Sequence, residues 1–205
     1  MRAPAPSLFD QTALTDRAER LVNAALKTGA DAADAVAVRS MSLSVEVRDG
    51  AVEESERAEG DDLGLRVLVG HRQAVVSTND LAGDASVALA ERAVAMARAA
   101  PEDKFAGLAD SALLANDFPD LDLLDPDLPS VAELEAMAKT AEQAALTVKG
   151  VAKSGGASAS AGIGGIVLVT SHGFRGAYIG SRHGISMTAI AGEGTGMERD
   201  YDYSS

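Results

Sequence analysis

The sequence predicts an α+β fold in which antiparallel sheets pack with two to three helices. Three observations carry this expectation. Apolar residues recur at helical spacing in three separate segments. Strict apolar/polar alternation marks 41–48 and 63–69 as strands. The order helix, strands, helix, helix, strands sets strand beside strand, not strand beside crossover helix as a parallel sheet would require.

The first helix follows from Leu14, Ala18, Leu21, Val22, Ala25 and Leu26, which form an i, i+4, i+7, i+8, i+11, i+12 stripe, with Gly29 placed to stop it. Residues 33–39 read as a buried strand. The clearest strand is 41–48: Met41, Leu43, Val45 and Val47 point one way, Ser42, Ser44, Glu46 and Arg48 the other. Asp49-Gly50 follows, the favoured type I′ hairpin pair, because both central residues need positive φ. The return strand 51–58 carries Glu53, Glu54, Glu56 and Arg57, charge that discourages intermolecular pairing at an edge. Leu63, Leu65, Val67 and Val69 alternate again, Gly70-His71-Arg72 turns the chain, and 73–78 returns to complete a meander.

Residues 84–100 form an Ala-rich helix with Val87, Ala90, Val94 and Ala97 on one stripe, ended by Pro101. The stretch 101–129 holds four of the six prolines and eight acids against one Lys, the composition of an extended surface connector. Ser130-x-x-Glu133 is a capping box opening a helix lined by Leu134, Met137, Ala141 and Val148 and ended by Gly150. Short Gly- and Ser-rich strands are expected near 151–160, 163–170, 174–181 and 184–192. The organisation expected is 1–100 as an N-terminal α+β domain, 101–129 as an acidic connector, and 130–205 as a helix followed by Gly-rich antiparallel strands.

Composition narrows the function. The chain has 205 residues and 46% hydrophobic content, enough for a sizeable core. Its net charge of −13 argues against a phosphate-binding surface, and 3% aromatic residues without Trp leave little for base stacking. No apolar run approaches the ~20 residues that span a bilayer, and Met1-Arg2-Ala3-Pro4-Ala5-Pro6 has no apolar signal-peptide core. Neither nucleic acid nor membrane is expected as a partner. The absence of Cys excludes disulfides, zinc-thiolate sites and thiol catalysis, and fits a reducing cytoplasm. Residues 151–205 carry four acids and four bases, so the whole net charge lies in 1–150.

The motifs that could carry chemistry each meet an ordinary alternative. Asp120, Asp122, Asp125 and Asp127 invite a calcium loop, but Leu124 and Val131 stand where oxygen ligands are needed and Asp125 where a glycine is, so a solvated acidic loop is the better reading. Gly162-Ile163-Gly164 lacks the next glycine of a dinucleotide fingerprint, Val167 standing there, and Gly192-x-Gly194 meets Met197 in the same place. These glycines read as bulges, turns or close backbone approach. His71 reads as an exposed turn residue. His172 and His183, beside Ser171 and Ser181 and with Glu198 and Asp200 downstream, could form a Ser-His-acid set, since triads are defined by geometry. There is no Gly-x-Ser-x-Gly elbow and no His-Glu-x-x-His helix to support it. No catalytic, cofactor-binding or metal-ligating residue is assigned.

Ser171-His172-Gly173, Tyr178, Ser181-Arg182-His183 and Met197-Glu198-Arg199-Asp200-Tyr201, with Asp80-Leu81, Ala106-Gly107-Leu108-Ala109-Asp110 and Pro119-Asp120-Leu121-Asp122-Leu123, closely resemble the PmbA/TldE branch of the TldD/PmbA family. The resemblance runs from about Leu14 to Tyr203, and Met-Glu-Arg-Asp-Tyr is its most specific piece. It implies an N-terminal half, since members are roughly twice this length (against a usual domain of about 100–150 residues). It also implies a cytoplasmic zinc-dependent peptidase in which TldD pairs with TldE to degrade unfolded peptides, under an older description as a modulator of DNA gyrase. The family's His-Glu-x-x-x-Asp-His metal motif belongs to TldD and has no match here, so this chain is expected to be non-catalytic, with no cofactor of its own and zinc only in a TldD-like partner. A TldD-like subunit, a peptide substrate and, for the fragment, a second copy are the expected partners. Self-association is expected through the uncharged strands of 151–192, with Ile163, Ile166, Leu168, Val169, Ile179, Ile185 and Ile190. The alternative is a stand-alone module binding an extended peptide or partner chain at its sheet edges. A serine-type hydrolase using His172 or His183 is the third reading.

Overall fold

A computed structural model describes residues 10–80 and 85–205. The chain start read for a signal peptide, and Leu81, lie outside the described residues. In chain order the elements are α1 (Gln11–Lys27), β1 (Ala32–Arg48), β2 (Ala51–Val69), β3 (Arg72–Thr78), α2 (Ala85–Ala99), α3 (Val131–Leu146), β4 (Val151–Thr170), β5 (Arg175–Ala191) and β6 (Glu198–Ser204). Single 3-10 turns lie at Ser111–Leu113 and Gly194–Gly196. The strands form one six-stranded antiparallel sheet in the order β3-β2-β1-β4-β5-β6. The fold is α+β, as the sequence predicts.

Local chemistry fixes the ends of the elements. Asp10 caps α1 by accepting from the N–H groups of Thr12 and Ala13, and Gly29 leaves it at φ 101°. Asp49 and Gly50 take φ of 51° and 76°, the double positive φ that a type I′ turn demands. Ser130 and Glu133 form the reciprocal capping box at the start of α3.

The strands are longer and fewer than expected. The segments 33–39 and 41–48 are one strand, because Ala33, Ala35, Ala37, Met41, Val45 and Val47 keep a single inward phase across Ser40. Likewise 51–58 runs on into 63–69, and the four short strands expected after Gly150 are the two long ones β4 and β5. The inward phase of β4 is unbroken from Ala157 to Val169. Gly162, expected to mark a bulge, a turn or close backbone approach, lies within the ladder and shows the last of these: a Cβ there would come 3.2 Å from the Met41 carbonyl oxygen. Strand β6 lies beyond the last strand that the sequence predicts.

Contacts divide the chain into two compact units, each built from three segments: 1–40, 60–121 and 164–179 in the first, 41–59, 122–163 and 180–205 in the second. The first unit's core joins Leu14, Leu21 and Val22 of α1 to Ala90, Ala93 and Val94 of α2 and to Leu65, Val67 and Val167 of the sheet. Leu21 and Leu65 are wholly buried, each contributing about 2 kcal/mol by removal from water. The second unit's core packs Leu134 and Ala138 of α3 against Val45, Val47, Ala157, Ala159 and Ala161.

Two helix faces differ from expectation. Val87 is exposed on α2, where Leu89 and Ala93 are buried instead. On α3 Met137 is exposed, Val148 lies beyond the helix end and is exposed too, and the buried face is Leu134, Ala138 and a glutamate, Glu142. Within the expected self-association region, Ile163 and Val169 are buried in the chain's own cores or strands.

Candidate functional site

One place gathers residues of the three chemical types singled out in the sequence. Residues 123–127 of the connector are strapped along β5. The Ser181 N–H donates to the Leu123 carbonyl oxygen at 2.9 Å, and the Asp125 N–H donates to Ser181 Oγ at 2.8 Å. Gly180 permits this approach, since a Cβ there would lie 3.3 Å from the Leu123 oxygen. His183, two residues along the strand and so on the same face as Ser181, places Nε2 4.0 Å from Asp125 Oδ2. Asp125 Oδ1 is taken by the Asp127 N–H at 2.9 Å.

Ser181, His183 and Asp125 thus come together, but not as a triad. A triad needs the serine hydroxyl bonded to a histidine that an acid orients. Here Ser181 Oγ accepts from a backbone N–H, and His183 Nε2 has no hydrogen-bond partner among the described residues. What the arrangement performs is attachment of the connector to β5.

The other candidates are dispersed. Ser171 pins the β4–β5 turn to β1, its N–H donating to the Ala33 oxygen at 2.8 Å and its Oγ accepting from the Ala33 N–H at 3.1 Å. His172 is exposed at that turn, in the first unit, whereas His183 is in the second. Asp200 and Glu198 pair with Ala189 and Ala191 at the far end of β5. Six residues separate Ala189 from His183, about 20 Å of strand, so neither acid reaches that histidine. His71 is exposed in the β2–β3 turn, where its carbonyl oxygen accepts from the Asp103 N–H at 2.8 Å. Gly192 is a turn glycine at φ 79°, where a Cβ would meet the Gly196 oxygen at 2.5 Å.

The residue that the sequence reading missed is Glu142. It is 1% exposed, and its carboxylate accepts from the Asp49 N–H at 2.8 Å, the Gly50 N–H at 2.7 Å and the Ser154 hydroxyl at 2.5 Å. One side chain therefore ties α3, the β1–β2 turn and β4 together. Gly156, at φ 111°, makes this possible: the inward positions step from Ser154 to Ala157, three residues instead of two, the signature of a bulge. Burial is the largest single influence on Glu142 and pushes its proton affinity up. The three hydrogen bonds and the nearby Arg48 charge together outweigh it and hold the carboxyl below its ordinary value. The available signal was a lone acid at i+8 from Leu134, on the apolar stripe of α3.

In the first unit Arg39 grips Asp61 with two hydrogen bonds of 2.5 and 2.7 Å, which lower the Asp61 pKa and raise that of Arg39. Arg66 pairs with Asp34 between the same two strands, β1 and β2. Both pairs hold the sheet.

A catalytic zinc takes three protein ligands, and a structural one takes four. Among the described residues no group of three or more His, Cys, Asp or Glu side chains is placed to hold a metal. The His183–Asp125 pair alone does not fit one.

Residues 33–97 match the PmbA/TldA metallopeptidase domain 1, and residues 124–205 match the PmbA/TldA metallopeptidase central domain. The chain belongs to the PmbA/TldD family. It is 36% identical over 190 residues to the metalloprotease PmbA of Escherichia coli O157:H7, covering 91% of this chain and 42% of that protein. To the metalloprotease PmbA homolog of Haemophilus influenzae it is 36% identical over 181 residues, covering 87% and 40%. It therefore spans less than half the length of these relatives. Among solved structures it is similar to a candidate modulator of DNA gyrase from Bacteroides thetaiotaomicron, with a TM-score of 0.83 and 25% identity over 96% of this chain and 45% of that one. TldE from Thermococcus kodakarensis shares the fold, with a TM-score of 0.74 and 15% identity over 91% and 42%. No helix among the described residues of this PmbA/TldD-family chain is long and apolar enough to cross a membrane.

Proposed function

We propose that this chain is the N-terminal part of a TldE/PmbA-like subunit in a cytoplasmic, zinc-dependent peptidase complex that degrades unfolded peptides. The catalytic zinc belongs to a TldD-like partner, and this part of the subunit contributes no catalytic group. The observation that carries the reading is the match of both family domains, in order, to proteins described as metalloproteases. The site geometry is in keeping with the non-catalytic role, because Ser181 Oγ accepts from the Asp125 N–H and the Asp125 carboxylate accepts from the Asp127 N–H, with no serine–histidine hydrogen bond among the described residues.

The test is reconstitution. The full-length subunit, a TldD-like subunit from the same genome and their mixture are assayed on an unfolded peptide. Hydrolysis by the mixture far above either component, with co-elution of the two, is the expected result. Hydrolysis by this subunit alone, undiminished by removing the partner, would overturn the proposal.

A further inference from the structure

The turn between β1 and β2 holds the sequence's one Asp-Gly pair, Asp49-Gly50, and the sequence contains no Asn-Gly. Such a pair carries a chemistry of its own. The backbone nitrogen that follows an aspartate can attack that aspartate's side-chain carboxyl carbon, and a glycine has no side chain to obstruct the approach. Gly50 N would bond to Asp49 Cγ and give up its proton, while a carboxyl oxygen leaves as water. The product is a five-membered succinimide. Water then opens either carbonyl, restoring aspartate or leaving isoaspartate, whose main chain runs through Cβ and is one carbon longer. The sequence of steps needs no oxidant and no cofactor.

The structure sets a specific obstacle before this reaction. The attacking nitrogen is the one whose N–H donates to Glu142 Oε2 at 2.7 Å, while the Asp49 N–H donates to Glu142 Oε1 at 2.8 Å. To reach Asp49 Cγ, the Gly50 nitrogen must swing about the Asp49 Cα–C bond, which takes its N–H off the carboxylate. That release costs one charge-assisted hydrogen bond, about 1.5–3 kcal/mol. The nitrogen must also shed its proton, and the negative charge that builds on it is repelled by the carboxylate beside it. Glu142 is buried, so water does not take over the bonds it makes.

Ser154 offers a comparison within the same cluster. Its hydroxyl donates to Glu142 Oε1 and accepts from the Gly156 N–H, so losing it weakens the cluster without freeing the Gly50 N–H. Asp49, Gly50, Glu142 and Ser154 all belong to the second compact unit.

We infer that Asp49 is a site of succinimide and isoaspartate formation, and that Glu142 keeps it closed by holding the Gly50 N–H. This stands on the turn and its grip alone and does not rest on the peptidase reading. An isoaspartate puts an extra atom into a two-residue turn and separates the two N–H groups that Glu142 holds, so the modification undoes its own restraint.

The test ages the full-length subunit in native buffer and reads isoaspartate at residue 49 by peptide mapping, with fragmentation that distinguishes the two linkages. The comparators are the same protein unfolded in denaturant, Glu142→Gln and Ser154→Ala, with circular dichroism to verify that each variant is folded. Native wild type should form isoaspartate at least about tenfold more slowly than the unfolded chain, the factor for 1.4 kcal/mol. Glu142→Gln, whose amide oxygen carries no charge and whose amide nitrogen accepts nothing, should raise the native rate about tenfold. Ser154→Ala should leave it near that of wild type. Native wild type isomerising as fast as the unfolded chain would overturn the inference, a comparison that holds even where Glu142→Gln does not fold. Equal rates for wild type and Glu142→Gln would overturn it too, as would a slower variant, in which Glu142 would be the base that helps the nitrogen lose its proton. So would Ser154→Ala matching Glu142→Gln, since general opening and not the grip on Gly50 would then set the rate.

Discussion

Glu142 shows how one residue can hold a fold and still be passed over in the sequence. Its carboxylate satisfies two backbone N–H groups of a tight turn and a buried hydroxyl. Removing the charge should cost about 2 kcal/mol, since charge-assisted bonds are worth roughly twice neutral ones and the donors stay buried. We expect Glu142→Gln to lower the urea midpoint at pH 7 accordingly. The pH dependence follows from the sign of the shift. The folded carboxyl lies below its ordinary value near 4.5, so its stabilisation is complete above that value and is lost as pH falls through the lower, folded one. The gap between wild type and Glu142→Gln should therefore be constant from pH 7 to about 5 and shrink in more acid solution. A gap that stays constant to acid unfolding would contradict the lowering of the Glu142 carboxyl on folding. Sequence periodicity sorts residues by polarity, and a buried glutamate on an apolar stripe breaks the rule by which the stripe is recognised. That is why the apolar pattern picks out Met137 and Val148 in place of Ala138 and Glu142.

At the scale of elements, alternation was the dependable signal. The inward set Met41, Val45 and Val47 is buried, with Leu43 half-buried, while Ser42, Glu46 and Arg48 are exposed. Val45→Asp buries an unpaired carboxylate and should cost more than about 3 kcal/mol. Ser44→Asp, on the opposite face, should change stability by less than about 1 kcal/mol. Equal melting temperatures for the two would reverse the assigned faces of β1. Turn chemistry was equally legible at Asp49-Gly50 and in the capping box of Ser130. Strand length was not. Gly155, Gly162 and Gly164 carry no pattern of their own, and only close approach to neighbouring strands reveals what they do; a Cβ at Gly155 would lie 2.6 Å from Thr188 Cγ2. The turn before β6 gives a graded test. Gly192→Ala meets both a positive φ and the Gly196 oxygen, whereas Gly194→Ala, at φ 58°, meets no atom within 4 Å. The second should cost about 1 kcal/mol and the first distinctly more, read from denaturant midpoints. A reversed order would place the β5–β6 turn differently.

For the whole molecule, a reading from one end to the other finds segments, whereas the two compact units are each assembled from three. Long strands cause this: β1, β2, β4 and β5 each contribute residues to both units. The α+β class and the family were both readable, the first from alternation and element order, the second from Ser171-His172-Gly173 and Met197-Glu198-Arg199-Asp200-Tyr201. The assembly of Ser181 with Asp125 was not, because the connector has no periodic pattern to say where it lies. The family match covers less than half of each curated relative, so the account turns on what this part supplies to the whole. Its central claim is that this part supplies no metal ligand, and elemental analysis tests it most directly. The purified 205-residue chain, loaded with zinc and dialysed, should retain no stoichiometric metal, whether wild type or carrying His172→Ala or His183→Ala. One tightly held zinc per chain, lost with either substitution, would contradict the account.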